Sequence, residues 1–243
     1  VTLPSPGSNG FDALEPRSGP GKNPGVGRRR GLFFVLEGVE GSGKSTQIQR
    51  ISLWLRDVLG IPTLVAREPG GTPAGEAIRG VLLDRTELRI GAETELLLML
   101  GARAAFVQEL VIPTLDRGEI MLADRFELST FAYQGVGRGL SLPRVRDLNA
   151  FATGGLRPDL VVVLDVPSEI GRGRQRREGK PQDRIEAADP GFHERVAAGY
   201  RALATTEPNV ALIPAHGSAD EVEGRVRDAI LPLLRERFPE LVR

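Results

Sequence analysis

At 243 residues, with 40% hydrophobic and 26% charged residues, the chain is long enough to bury one substantial core and has the composition of an ordinary globular protein. Lys+Arg and Asp+Glu are both 32, so no global field favours a nucleic acid or an anionic membrane. The absence of cysteine excludes disulfides, thiol catalysis and thiolate metal sites; two histidines argue against a His-built metal centre; and no uninterrupted apolar stretch nears the ~20 residues that span a bilayer.

Residues 1–30 are rich in Pro, Gly and Ser, lack hydrophobic periodicity and end in Arg28, Arg29 and Arg30, a pattern that predicts a disordered leader. From Leu32 onward, short apolar runs alternate with longer amphipathic ones, as in parallel strands joined by crossover helices. The candidate strands are Leu32 to Glu37, Thr63 to Arg67, Ile120 to Ala123, Leu160 to Asp165 and Val210 to Ile213. Between the first strand and the first helix lie Gly38, Val39, Glu40, Gly41, Ser42, Gly43, Lys44, Ser45 and Thr46, which read as a phosphate-binding loop. Glycines let backbone N–H groups turn inward on a polyphosphate, the helix presents its positive end, Lys44 adds a full charge and the Ser45 hydroxyl can ligate Mg²⁺. A nucleoside triphosphate is the natural ligand.

In the first helix Ile48, Ile51, Leu55, Val58 and Leu59 recur at three- and four-residue spacing as a buried stripe, and Gly60 with Pro62 stops it. A long helical run from about Ala92 to Leu115 carries Leu96, Leu97, Leu100 and Val107, with Pro113 near its end, and a closing helix runs from Ala219 to about Phe238. In open parallel sheets ligands gather at the carboxyl ends of strands. There the second strand is followed by Arg67-Glu68-Pro69-Gly70-Gly71 and then Arg79, and the third by Asp124-Arg125-Phe126 and then Ser129 to Gly135. An acid closing a strand beside a phosphate loop suits Mg²⁺, and an adjacent Arg suits bidentate phosphate binding.

These motifs, with Ala102-Arg103, Ala132-Tyr133-Gln134-Gly135, Gly155-Leu156-Arg157-Pro158-Asp159-Leu160 and Asp183-Arg184-Ile185, closely resemble those of bacterial thymidylate kinases, from Leu32 to the C-terminal helix. The resemblance implies a P-loop NTPase-type α/β fold, a doubly wound five-stranded parallel sheet with helices on both faces, forming one nucleoside monophosphate kinase domain over residues 31–243. It also implies transfer of the ATP γ-phosphoryl group to dTMP, with Mg²⁺ as cofactor, Ser45 and Asp124 as its ligands, and a homodimer in the cytoplasm with no nucleic-acid or membrane partner. By the same resemblance, Arg79, Arg103 and Arg125 surround the dTMP phosphate and base, with Arg125 nearest the acceptor phosphate. Glu40 faces the deoxyribose, Thr130 and Gln134 hydrogen-bond thymine, Tyr133 closes the sugar pocket, and Glu68 and Pro69 complete the wall. Met99 stands where the family commonly has a Phe that stacks on the base.

Arg172, Arg174, Arg176, Arg177, Lys180 and Arg184 form a basic stretch. Phosphoryl transfer depends on positioning and charge neutralisation, so a delivered arginine is worth about 10³ to 10⁵ in rate. In the family that the chain resembles, this cation comes either from the phosphate loop or from a mobile lid; position 41 is Gly, so by that resemblance the loop supplies none. The bacterial pattern then places a lid over about residues 171–187, bringing Arg174, Arg176 or Arg184 onto the phosphates beside Lys44 and Arg125. His193 has no phosphate motif around it and reads as helix surface or packing. Two other readings are a related kinase of a different nucleoside monophosphate and a catalytically silent nucleotide-binding module.

Overall fold

All five apolar runs become parallel strands: β1 (Phe33–Glu37), β2 (Thr63–Arg67), β3 (Ile120–Asp124), β4 (Leu160–Asp165) and β5 (Val210–Pro214), in the order β2-β3-β1-β4-β5. This computed structural model describes residues 30–242 except 168, 172, 175–182, 186 and 188. The leader, except Arg30, and most of the expected lid, including Arg176, lie outside the described residues. Strand β1 is buried along its whole length, whereas β2 and β5 at the edges are partly exposed. The central strands accordingly read as continuous apolar runs, as strands covered on both faces do.

The helices are α1 (Lys44–Leu53), α2 (Pro73–Arg79), α3 (Ala92–Phe106), α4 (Ile112–Asp116), α5 (Glu127–Thr130), α6 (Leu142–Thr153), α7 (Pro190–Thr206) and α8 (Ala219–Arg237). The step from β1 to β2 runs in one direction across the sheet and every later step in the other. Right-handed crossovers therefore put α1 on one face and α2 to α7 on the opposite face. Helix α8, after the last strand, returns to cover the α1 side, where Gln47 Nε2 donates to Ala219 O at 3.0 Å and Arg50 pairs with Asp220 and Glu223. A capping box of Ser218 and Glu221 starts α8, and Thr72 and Asp189 cap α2 and α7 with Pro at the next position.

One detail of the periodic pattern needs correction. Val58, assigned to the first helix's buried stripe, is 71% exposed, because the helix widens into a π-type turn over Trp54–Val58 and rotates its last residue outward. Leu97 is 60% exposed on α3, on the flank between the buried Leu96 and Leu100. The expected long helix also widens over Val107–Val111 before α4, which has Pro113 in its first turn. By length and hydropathy the run Ala92–Asp116 could cross a membrane. In this fold it packs against α2 and α6 and turns Glu95 and Arg103, both buried, toward the site.

The connections from the neighbouring strands β1 and β3 leave in opposite directions, which opens a crevice between their carboxyl ends, with the end of β2 beside it. Arg125 N donates to Leu36 O at 3.0 Å and Glu68 N to Asp124 O at 2.9 Å, so three strand ends are tied by backbone alone.

Candidate active site

The loop after β1 has the backbone that close approach to a polyphosphate requires. A Cβ on Gly38 would lie 2.6 Å from Leu164 O, and Gly43 enters α1 in the left-handed region at φ 95°. Gly43 at the N-cap has no side chain with which to cap α1, and the first N–H groups of a helix suit an anion. Lys44 Nζ donates to Gly38 O and Val39 O, each at 3.0 Å, and burial together with the Arg125 charge lowers its pKa to about 8. Arg174 Nη1 donates to Gly41 O at 3.3 Å, which brings one of the expected lid arginines to the loop. The backbone of Gly171 crosses so close that a Cβ there would meet Glu40 O at 2.3 Å.

Beside the loop, a cavity of about 720 Å³, solvent included, is lined by Glu40, Glu68, Pro69, Arg79, Met99, Arg103, Arg125, Thr130, Tyr133 and Gln134. The structure thus brings together around one cavity every residue that the sequence reading assigns to the acceptor. Leu83, Ser129, Asp183 and Ile185 complete the lining. Arg79 Nη1 is held by Pro69 O at 2.9 Å. Arg103 is almost wholly buried and donates to Glu68 Oε2 at 2.8 Å, and to Thr130 Oγ1, Asn149 Oδ1 and Phe126 O, each at 2.9 Å. Despite that ion pair, burial pushes the Glu68 carboxyl up to about 7, and its second oxygen has no partner.

Arg125 lies between the loop and the cavity. Its backbone is left-handed at φ 72°, a strained conformation for a residue with a Cβ, and such strain is characteristic of functional sites. Its guanidinium reaches Glu40 Oε1 at 2.9 Å, Ser129 Oγ at 3.1 Å and Tyr200 OH at 3.2 Å. Burial opposes a charge on Glu40, but Arg125, Lys44 and the Tyr133 hydroxyl outweigh it and hold the carboxyl below its usual range. His193 is buried, with Nδ1 4.0 Å from Glu40 Oε2, so the helix-surface alternative for it is wrong and α7 packs it against the site.

Two carboxylates that sequence reasoning missed organise these groups. Glu37, fully buried at the end of β1, accepts from Phe126 N at 2.8 Å, Ser129 N at 3.0 Å, Ser129 Oγ at 2.6 Å and Tyr200 OH at 2.9 Å. Glu95, buried in the first turn of α3, accepts from Gln134 Nε2 at 2.9 Å, Arg138 Nε and Nη2 at 3.2 Å, and Arg184 Nη2 at 2.7 Å. Arg184, expected over the phosphates, is tied to Glu95 and to Leu82 O at 2.9 Å, between the cavity-lining residues Asp183 and Ile185. A carboxylate at strand or helix ends is common enough in sequence that neither Glu carries a local signal.

A family model described as thymidylate kinase matches residues 36–226. The chain belongs to the thymidylate kinase family. It is therefore an ATP-dependent dTMP kinase, a phosphotransferase that yields dTDP and ADP. It is similar to the thymidylate kinase of Desulforudis audaxviator, 48% identical over 75% of this chain and 82% of that one. To the thymidylate kinase of Deinococcus radiodurans it is 46% identical over 83% of this chain and 97% of that one. The crystal structure of thymidylate kinase from Ehrlichia chaffeensis superposes with a TM-score of 0.68 at 26% identity, covering 83% of this chain and 98% of that one.

Proposed function

We propose that the cavity behind Arg125 is the dTMP site, that the loop from Gly38 to Thr46 holds the ATP phosphates, and that the phosphoryl group passes between them beside Arg125. The observation that carries this reading is the convergence of every expected acceptor residue on one cavity that opens beside Lys44 and Glu40. On binding, the ATP phosphates replace the Gly38 and Val39 carbonyls as partners of Lys44, and phosphate charge raises its pKa from about 8. Arg125 and Arg79 hold the dTMP phosphate with one oxygen directed at the γ-phosphorus. That oxygen is already anionic, so it attacks without a general base: the new P–O bond forms to dTMP as the bond to the ADP oxygen breaks. Glu40, held ionised, accepts from the 3′-hydroxyl. Tyr133 and Met99 cover the sugar and base, and Glu68 and Pro69 close the wall. Arg174, already at Gly41 O, supplies charge near the transferring group, and Arg176 shares that role as expected from the sequence.

The donor set fits Mg²⁺. Asp124 Oδ1 is buried with no hydrogen-bond partner, and Ser45 lines the same recess. Among the described residues no group of three or more His, Cys, Asp or Glu could hold a metal alone, which suits an ion bound mainly by substrate phosphates and water. When bound, it would neutralise charge on the phosphate oxygens. A homodimer is supported by Leu97 on α3 and Phe151 on α6, which are 60% and 87% exposed on two helices packed side by side. A cytoplasmic location follows the same family reading.

The test is ADP release with ATP and Mg²⁺ across dTMP, dUMP, dCMP, dGMP and dAMP, with wild type and Lys44→Ala. Preference for dTMP, lost by at least about 10³-fold in a folded Lys44→Ala, is the expected result. Retained transfer in that variant would remove the loop from the chemistry, and dTMP turnover unchanged in Arg125→Met would remove the cavity.

A further inference from the structure

Thymine and cytosine differ in the polarity of one edge. Thymine offers an N3–H donor flanked by O4, whereas cytosine offers an N3 acceptor flanked by an amino donor. A glutamine alone cannot tell them apart, because its amide can turn over and present either an oxygen or an NH₂ group. Something must fix which end faces the base.

We propose that Glu95 is the positioning residue that fixes base selection: its carboxylate pins the Gln134 NH₂ group, so that Gln134 presents its carbonyl oxygen to the acceptor cavity and takes only a pyrimidine bearing an N3–H. The inference rests on the acceptor-cavity reading above. A carboxylate is acceptor-only, so the 2.9 Å contact from Gln134 Nε2 admits one amide orientation. Turning the amide over would set its carbonyl oxygen against a buried carboxylate. Arg184 on Glu95 Oε2 and Arg138, through Nη2 on Oε2 and Nε on Oε1, keep that carboxylate charged and in place. Gln134 Oε1 accepts no hydrogen bond among the described residues, and Gln134 lines the cavity. One turn earlier, Thr130 Oγ1 accepts from Arg103, which leaves the Thr130 hydroxyl hydrogen for a carbonyl such as O4. The pair therefore offers a donor and an acceptor in the order thymine needs.

This account gives Arg184 a role in base recognition. It braces Glu95, with no part at the transferring phosphate.

The deciding variant is Glu95→Gln. Arg184 at 2.7 Å and Arg138 Nη2 at 3.2 Å favour an oxygen at the Oε2 position, so the new amide nitrogen falls at Oε1, where it turns Arg138 Nε away and donates to Gln134, which then turns over and shows its NH₂ group to the cavity. We expect kcat/KM for dTMP to fall at least about tenfold and that for dCMP to rise in absolute terms, while the dTMP:dUMP ratio stays unchanged because both bases share the N3–H and O4. A loss of packing alone lowers all three acceptors together, and that result, in protein with a normal melting transition, overturns the proposal. If Glu95→Gln does not fold, Glu95→Asp withdraws the carboxylate by one methylene while keeping its charge; a dTMP:dCMP ratio unchanged there overturns it equally. Wild-type enzyme that takes dCMP as readily as dTMP would instead refute the acceptor-cavity reading, before Glu95 is tested.

Discussion

Glu68 shows how burial can outweigh an ion pair. Its Oε2 meets Arg103 at 2.8 Å, yet loss of water around a carboxyl with one unpartnered oxygen carries the pKa to about 7. The native state then holds a proton that the unfolded chain releases at about pH 4.5, so stability is lost as pH rises between those values. We expect the melting midpoint of nucleotide-free protein to fall between about pH 5 and pH 8, by a few degrees for a chain of this size. Glu127, also raised by burial, adds a slope of the same sign. The measurement is therefore the difference from Glu68→Gln, which should show a shallower decline despite a lower midpoint overall. Equal slopes would mean that Glu68 stays ionised throughout. Glu40 and Glu95, held below their usual range, contribute in the opposite sense and only at more acid pH.

The elements explain which parts of this architecture could be read from sequence. The strands were legible almost to the residue because parallel strands covered on both faces must be continuous apolar runs, as Phe33 to Leu36 and Leu160 to Leu164 are. The phosphate loop and cavity wall were legible because each demands rare residue types at fixed spacing. Val58 was misplaced because helical periodicity gives the centre of a buried stripe and leaves its edges to π-type turns. Glu37 and Glu95 were invisible because their meaning comes from partners up to 163 residues away. Arg184 read as a lid charge for the same reason. At this scale the sharpest test concerns the crossing of Gly171 over the loop. A methyl group there has no room against Glu40 O, so Gly171→Ala should lower kcat/KM for ATP at least about tenfold with little change in melting temperature. Unaltered kinetics would show that the two segments separate freely.

For the whole molecule, Leu97 and Phe151 leave an apolar side uncovered on α3 and α6, and α3 carries Glu95, Met99 and Arg103 on the flank toward the cavity. Burying that side against a second copy would brace the helix that shapes the base pocket. We expect wild type to sediment as a dimer and Leu97→Glu/Phe151→Glu as a monomer with a raised KM for dTMP and a nearly unchanged KM for ATP. A monomeric wild type of full activity would remove dimerisation from the account.

The backbone bond from Arg125 N to Leu36 O also bears on how such enzymes diversify. The proposed donor loop and Arg125, the arginine proposed to face the acceptor, are both registered to the same strand, only two residues before Gly38, so on that reading the gauge between the two phosphates is set by sheet hydrogen bonds and not by any loop. Side chains farther out, such as Met99, Gln134 and Glu95, stand outside that gauge. A lineage could therefore exchange one base for another many times without re-measuring the gap across which the phosphoryl group moves.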